Sequence, residues 1–186
     1  KFIKLAGFCK YDANENMTTL LEDLNTDGYG FGRDFILKAC LVLFDKGASY
    51  EVSKFRDGDT KQKIEDNWKL ISEAIKDVKD FIKGKTFIQS DKVLTSYLTL
   101  IPLIYFRYHY PKQWLHGKGR AEYLVRTMLV GAFSGNPDSL IDKAVKKIKE
   151  DGDFIKKNIY GVIRDDNRSL ELTKENLFGI SYADRR

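Results

Sequence analysis

The most chemically distinctive part of the chain is a basic, aromatic stretch from residue 107 to residue 126. It holds five basic side chains against one acidic one, a net charge of +4 within twenty residues. Cationic side chains bind phosphates and aromatic rings stack on bases, so the stretch predicts a nucleic-acid contact. Its interleaved rings are Tyr108, His109, Tyr110, Trp114 and His116. The candidate binding residues are Arg107, Lys112, Lys118, Arg120 and Arg126.

A second interpretation of this stretch is equally physical and stays open. Arg107 is predicted near the C-terminal end of a helix, where its positive charge interacts favourably with the negative end of the helix dipole. Trp114 and Tyr110 are large enough to pack against the core instead of facing a ligand. Lys118, Glu122 and Arg126 recur every four residues, which also predicts an ordinary ion-paired line along a helix surface.

The residues able to ligate a metal or act as nucleophiles are few and scattered. The cysteines are Cys9 and Cys40, the histidines are His109 and His116, and they form no Cys-x-x-Cys or His-Glu-x-x-His pattern. We therefore expect no metal site, no catalytic residue and no cofactor in this chain. Because Cys40 lies in an apolar run, we expect its thiol to be buried and unreactive. Cys9, beside Lys10, is a minor candidate for a reactive thiol.

A glycine-rich segment, Gly28-Tyr29-Gly30-Phe31-Gly32, is the other place where a ligand is conceivable. Backbone N–H groups before a helix can cradle a phosphate. The Gly-x-Gly-x-x-Gly pattern fails at Arg33, however, and no Gly-Lys-Ser/Thr follows. A plain turn between helices is the favoured interpretation. The paired acids Asp165-Asp166 likewise indicate a solvated turn.

Length and composition indicate one globular domain. The chain has 186 residues, of which 42% are hydrophobic and 32% charged, and its net charge is +5. That charge is compatible with nucleic-acid binding but does not require it. The longest apolar run contains Pro102 and is too short to span a bilayer, so we expect no membrane association. Two cysteines are too few for a framework of disulfides, so we expect reduced thiols and a cytoplasmic protein. Starting at Lys1 and stopping at Arg186, the chain is expected to be one helical domain, residues 1–186, of a longer protein.

The basic stretch follows an apolar segment that must form the centre of the fold. Nearly every side chain from Leu98 to Phe106 is apolar, and a helix without a solvated face must be surrounded by other helices. Pro102 suits the first turn of a helix, so we place the helix start at Thr99 and its stop at Pro111. A second helix is predicted from about residue 118 to residue 133.

The clearest helix is marked by a single apolar stripe spaced alternately by three and four residues. We expect Asp59 to cap this helix, Gly84 to end it and its charged face to be solvated. The stripe consists of Ile64, Trp68, Ile71, Ile75, Val78 and Ile82.

Local signals place the remaining segments. Asp34 is a predicted N-cap for a helix over residues 35–44, and residues 50–55 are predicted to be extended. Gly131, in the interior of the 118–133 helix, predicts close approach of a neighbouring helix. Asn136 is a predicted cap for the next helix, with Pro137 at its first position. The result is an all-α, single multi-helix bundle of about eight or nine helices.

An ordered series of short motifs resembles the helical region of GmrSD-type modification-dependent restriction proteins, a large bacterial family of otherwise uncharacterised proteins. The series comprises residues 34–43 (DFILKACLVL), 63–68 (KIEDNW), 100–106 (LIPLIYF), 133–135 (FSG) and the terminal 180–186 (ISYADRR). In such proteins a ParB-like N-terminal domain carries an Asp-Gly-Gln-Gln-Arg motif, and many members add a C-terminal His-Asn-His nuclease domain.

The resemblance implies a non-catalytic helical domain of a restriction or phage-defence protein. It would link or position the flanking ParB-like and nuclease domains, with DNA as a further candidate partner, and the parent protein would be an NTP-dependent endonuclease. This chain contains neither motif, so no catalytic residue carries over. The alternative is a structural protein–protein interaction module without DNA contact.

Overall fold

The computed structural model describes residues 13–86 and 88–176, and within those ranges its secondary structure consists of helices, with no strand. The all-α prediction of eight or nine helices is therefore confirmed. The nine α-helices are α1 (Ala13–Leu24), α2 (Arg33–Leu43), α3 (Val52–Arg56), α4 (Gly58–Lys85), α5 (Ile101–His109), α6 (Pro111–His116), α7 (Arg120–Leu129), α8 (Asp138–Asp151) and α9 (Lys156–Asp165). Three 3₁₀ helices, at Thr26–Gly28, Asp91–Val93 and Tyr97–Leu100, and one helical turn at residues 174–176 complete the described fold.

Helix α5 is the centre of the bundle, as its uniformly apolar sequence predicts. Its first six residues, 101–106, are all buried, and the helix packs against α2, α4 and α8. The 3₁₀ helix Tyr97–Leu100 leads directly into it, so the α-helix starts at Ile101 and not at Thr99, and Pro102 is its second residue. Proline is tolerated there because its missing N–H would have no acceptor in the first turn. The next helix begins at Pro111, again in a first-turn position.

The apolar stripe of α4 faces the core, which confirms the clearest helix prediction. Its predicted ends were wrong by a few residues. Asp57, not Asp59, is the N-cap, because its carboxylate accepts hydrogen bonds from the Asp59 N–H at 3.2 Å and the Thr60 hydroxyl at 3.1 Å. At the other end, α4 continues through Gly84 to Lys85.

Two further local predictions were wrong. Residues 52–56 are helical and not extended, since no strand lies beside them to pair their backbone groups. Gly32, not Asp34, occupies the N-cap position of α2, and Asp34 lies in the first turn. The predicted stop at the end of α2 is confirmed: Asp45 adopts a left-handed φ of 60°, and the Lys46 N–H donates back to the Leu41 carbonyl.

Helix α7 is shorter than predicted because left-handed glycines bound it on both sides. Gly119 precedes it with φ of 80°, and Gly131 follows it with φ of 62°. The Ala132 N–H donates to the Thr127 carbonyl across this turn. Gly131 therefore ends the helix through its backbone conformation and does not mark a close helix–helix approach. The following helix, α8, starts at Asp138, so Pro137 and not Asn136 holds the N-cap position.

Some sequence predictions lie outside the described residues. The apolar residues between Lys1 and Lys10 predict a short helix there, and Thr173 is predicted to begin a last helix that contains Leu177 and Phe178. The 1–10 segment with the reactive-thiol candidate Cys9, residues 177 and 178, and the 180–186 motif are all outside the described ranges. Among the described residues, no helix is both long enough and apolar enough to cross a membrane.

Candidate functional site

The five basic candidates do not form one surface. The fold buries Arg120, pairs Arg107 with a carboxylate, turns Arg126 toward a different part of the molecule and leaves only Lys112 and Lys118 fully exposed. Their nearness in sequence therefore overstates the charge that a single ligand would meet.

Arg120 is a structural residue of the link between α6 and α7. It is 7% exposed. Its guanidinium donates hydrogen bonds to the Trp114 carbonyl at 2.5 Å and the Gly117 carbonyl at 2.8 Å. The same group lies 4.3 Å from the centre of the Trp114 ring and 5.1 Å from that of Phe81. Burial lowers the pKa of this guanidinium, partly opposed by Asp153, and its Nε is buried without an acceptor.

Gly117 makes this arrangement possible. A Cβ at that position would lie 3.2 Å from the Arg120 Nε and 3.2 Å from the Gln113 carbonyl oxygen. Only a residue without a side chain leaves the guanidinium its full space. The Gly-Lys-Gly run at residues 117–119 is thus explained by the packing of Arg120 and by the left-handed Gly119.

Arg107 and Arg126 are also bound within the protein. The Arg107 Nε donates to the Asp77 carboxylate of α4 at 2.5 Å. Arg126 donates to the Leu170 carbonyl at 3.0 Å and lines a separate cavity of about 400 Å³ with Tyr160 and Arg164. The predicted surface line through residues 118, 122 and 126 is not formed, because Lys118 precedes α7 and Glu122 pairs with Lys156 of α9.

The aromatic rings of the stretch pack inward. The Trp114 ring is buried and meets Phe81 with centroids 5.4 Å apart. Tyr110 stacks on Phe106 at 5.8 Å, and Tyr108 contacts Phe44 edge-on at 6.1 Å. These contacts correspond to the core-packing interpretation of the sequence, so these three rings are not arranged as a platform for bases.

An open groove of about 830 Å³ lies beside this link. We call it the α4–α6 groove. Its walls are the last turns of α4, the end of α5, helix α6 and residues 117–121. Rings of Phe81 and Trp114 lie in it together with Leu115, whose side chain is 75% exposed. No other large hydrophobic residue in the described ranges is as exposed.

Sequence reasoning missed the contribution of α4 to this groove. From the sequence, the charged face of this helix was expected only to be solvated. Asp77, Asp80, Phe81 and Lys85 all line the groove. The periodicity of α4 places Phe81 at the margin of the buried stripe, but no sequence signal says that α6 lies opposite that margin.

Two backbone N–H groups of the glycine-rich loop are already bound within the protein. The Gly30 N–H donates to the Tyr97 hydroxyl at 2.7 Å, and the Phe31 N–H donates to the Asn25 side chain at 2.6 Å. The loop therefore joins α1 to α2, as the favoured turn interpretation predicts.

Cys40 is fully buried, and burial raises the pKa of its thiol to about 12. A thiol in that state is protonated and inaccessible at neutral pH, as predicted for this residue. The described residues contain no group of three or more His, Cys, Asp or Glu side chains placed to hold a metal ion.

Comparison with known proteins adds no identification. No family model matches the chain. No curated protein matches it significantly either. Kinship with the GmrSD-type proteins stays a prediction from the motif series.

Proposed function

We propose that this chain is a non-catalytic helical domain of a cytoplasmic, GmrSD-like restriction or phage-defence protein. Its role is to position the ParB-like and nuclease domains of that protein by direct protein contact. The observation that carries the contact role is the α4–α6 groove, in which the exposed Leu115 stands beside the ring of Phe81. Exposed apolar side chains in a concave surface with charged neighbours are typical of protein interfaces.

The first test is the sequence that flanks this chain in its gene. We expect an Asp-Gly-Gln-Gln-Arg motif on the N-terminal side and a His-Asn-His motif on the C-terminal side. Flanking sequence that encodes neither motif would refute the assignment to a GmrSD-like protein.

The contact role is tested by adding the flanking domains as separate polypeptides and measuring association by calorimetry. Leu115→Asp should abolish association, because it places a charge at the centre of the groove. Leu70→Asp is the matched control, since Leu70 is also an exposed helical leucine, 53% exposed, but lies outside the groove. If the two variants bound the flanking domains equally well, the groove would not be part of the interface.

Direct DNA contact is a second candidate function, supported by the exposure of Lys112 and Lys118. Fluorescence anisotropy with duplex DNA at low and raised salt should then show binding that weakens with salt. Lys112→Ala combined with Lys118→Ala should reduce it without unfolding the chain. Arg120→Ala is unsuitable for this test, because it removes a structural contact. No binding at low salt would reject this candidate.

A further inference from the structure

The α4–α6 groove combines an apolar centre with charges whose partners can be named. Phe81 and Trp114 supply the rings, and Leu115 is the exposed apolar side chain. The volume of about 830 Å³ is large enough for several side chains of a bound segment.

Not all charges of the groove are available to a ligand. Arg107 and Asp77 neutralise each other at 2.5 Å. Arg120 directs its donors at two backbone carbonyls. On the α4 wall this leaves Asp80 and Lys85, both exposed and without an ion-pair partner among the described residues.

Two more unpaired cations flank the groove. Lys112 lies on α6 between the groove-lining residues Pro111 and Leu115, and Lys118 lies between Gly117 and Gly119, which also line it. Both lysines are exposed, and neither has an ion-pair partner within the described part of the chain. Lys85 in the lining and two lysines adjacent in sequence to lining residues are therefore three cations without a described ion-pair partner, against the unpaired lining anion Asp80.

We propose that the α4–α6 groove binds an acidic amphipathic segment of a partner protein. An apolar side chain of that segment packs against Leu115 and Phe81, and its carboxylates face Lys85, Lys112 and Lys118. This inference rests on the proposed protein-contact role and specifies the chemistry of the partner.

The same observations disfavour nucleic acid as the occupant of this groove. The Trp114 ring is covered by the Arg120 guanidinium 4.3 Å from its centre, so it offers no free face to a base. The most exposed side chain of the groove is the aliphatic Leu115, which suits an apolar partner residue.

The test uses a labelled helical peptide of about 15 residues with leucines on one face and glutamates on the other. Its twin carries lysine in place of every glutamate. Fluorescence anisotropy should show the acidic peptide binding at least about tenfold more tightly than the twin, and this preference should shrink as salt is raised. Leu115→Ala should weaken binding about tenfold, because most of the leucine surface remains to be buried by the partner.

Charge variants make the test specific. Combined reversal of Lys85, Lys112 and Lys118 to glutamate should invert the preference between the two peptides, whereas Asp80→Lys should tighten binding of the acidic one. Circular dichroism checks that each variant is folded. Leu70→Asp, which changes a residue outside the groove, is the control that should leave peptide binding unchanged. Absent binding of the acidic peptide, or equal binding of both peptides, would overturn the inference.

This outcome is separable from that of the proposed function. If the acidic peptide binds at the groove but the flanking domains do not associate with the chain, the proposed role in positioning those domains is rejected and the acidic ligand of the groove is retained. If the flanking domains associate but the acidic peptide is not preferred, the positioning role is retained and the acidic ligand is rejected. A duplex DNA that competes with the peptide for the groove would also count against an acidic protein segment as its occupant.

Discussion

Replacing Arg120 tests whether the most conspicuous basic residue of the sequence serves the fold and not a ligand. Its guanidinium makes two hydrogen bonds to backbone carbonyls and lies over two aromatic rings. Hydrogen bonds from charged donors contribute about 1.5–3 kcal/mol each, and each cation–π contact adds about 0.5–2 kcal/mol. The buried, unpaired Nε offsets about 1–3 kcal/mol of this gain.

Because neighbouring contributions are not additive and the methionine side chain can still pack against the two rings, we expect Arg120→Met to lower the free energy of unfolding by about 2–4 kcal/mol. For a chain of this length that corresponds to a fall in melting temperature of about 4–16 °C. Arg120→Lys keeps the charge but cannot span both carbonyls, so it should recover less than half of the loss. Urea unfolding followed by circular dichroism measures each value.

The matched control is Lys112→Met, which removes an exposed cation from the same link and should change stability by less than about 0.5 kcal/mol. If Arg120→Met were as stable as this control, the structural role would be refuted. A fully stable Arg120→Lys would show that charge alone matters and that the two-carbonyl geometry does not.

Three further predictions concern other parts of the fold. Arg168→Ala should lower stability by about 1–3 kcal/mol in urea unfolding, because three carbonyls of the loop before α8 lose their donor. Hydrogen bonding from Lys143 lowers the pKa of Asp166 below its ordinary 3.8. The ionised Asp166 carboxylate therefore stabilises the folded protein at pH values above the pKa of this group in the unfolded chain. This stabilisation is lost as the pH falls through the lower pKa of the folded protein, so the difference in free energy of unfolding between wild type and Asp166→Asn should shrink in acid. Finally, Cys40 in a Cys9→Ser variant should react with a thiol reagent only after unfolding; rapid reaction of the native variant would contradict its burial.

The architecture was accessible from sequence because helical periodicity reports directly on burial. The α4 stripe and the uniformly apolar 101–106 segment each specify which faces meet the core. Element ends were less accessible, because capping was assigned to the nearest polar residue. Asp57 and Asp59 are equally good caps in isolation, and tertiary contacts decide between them: the Asp57 carboxylate also binds Lys46, at 2.6 Å.

The candidate site was less predictable, since a groove belongs to two elements distant in sequence. Phe81 and Leu115 are 34 positions apart, and nothing local indicates that they line one cavity. Whether Arg107 is free depends in the same way on Asp77, thirty residues earlier. Charge density along the chain therefore predicted one basic surface, whereas the fold pairs Arg107 with Asp77 and buries Arg120.

The number of basic residues in this sequence overestimates the charge available for binding a ligand, and the reason is a general physical one. Every helix leaves up to four carbonyls at its C-terminus without intrahelical donors, and a bundle of short helices has many such ends. Cationic side chains satisfy two of them in the described part of the chain. Arg120 binds the Trp114 carbonyl in the last turn of α6, and Lys79 binds the Asp23 carbonyl in the last turn of α1. Part of the net positive charge thus serves to terminate helices, and only cations without such acceptors are evidence for a ligand.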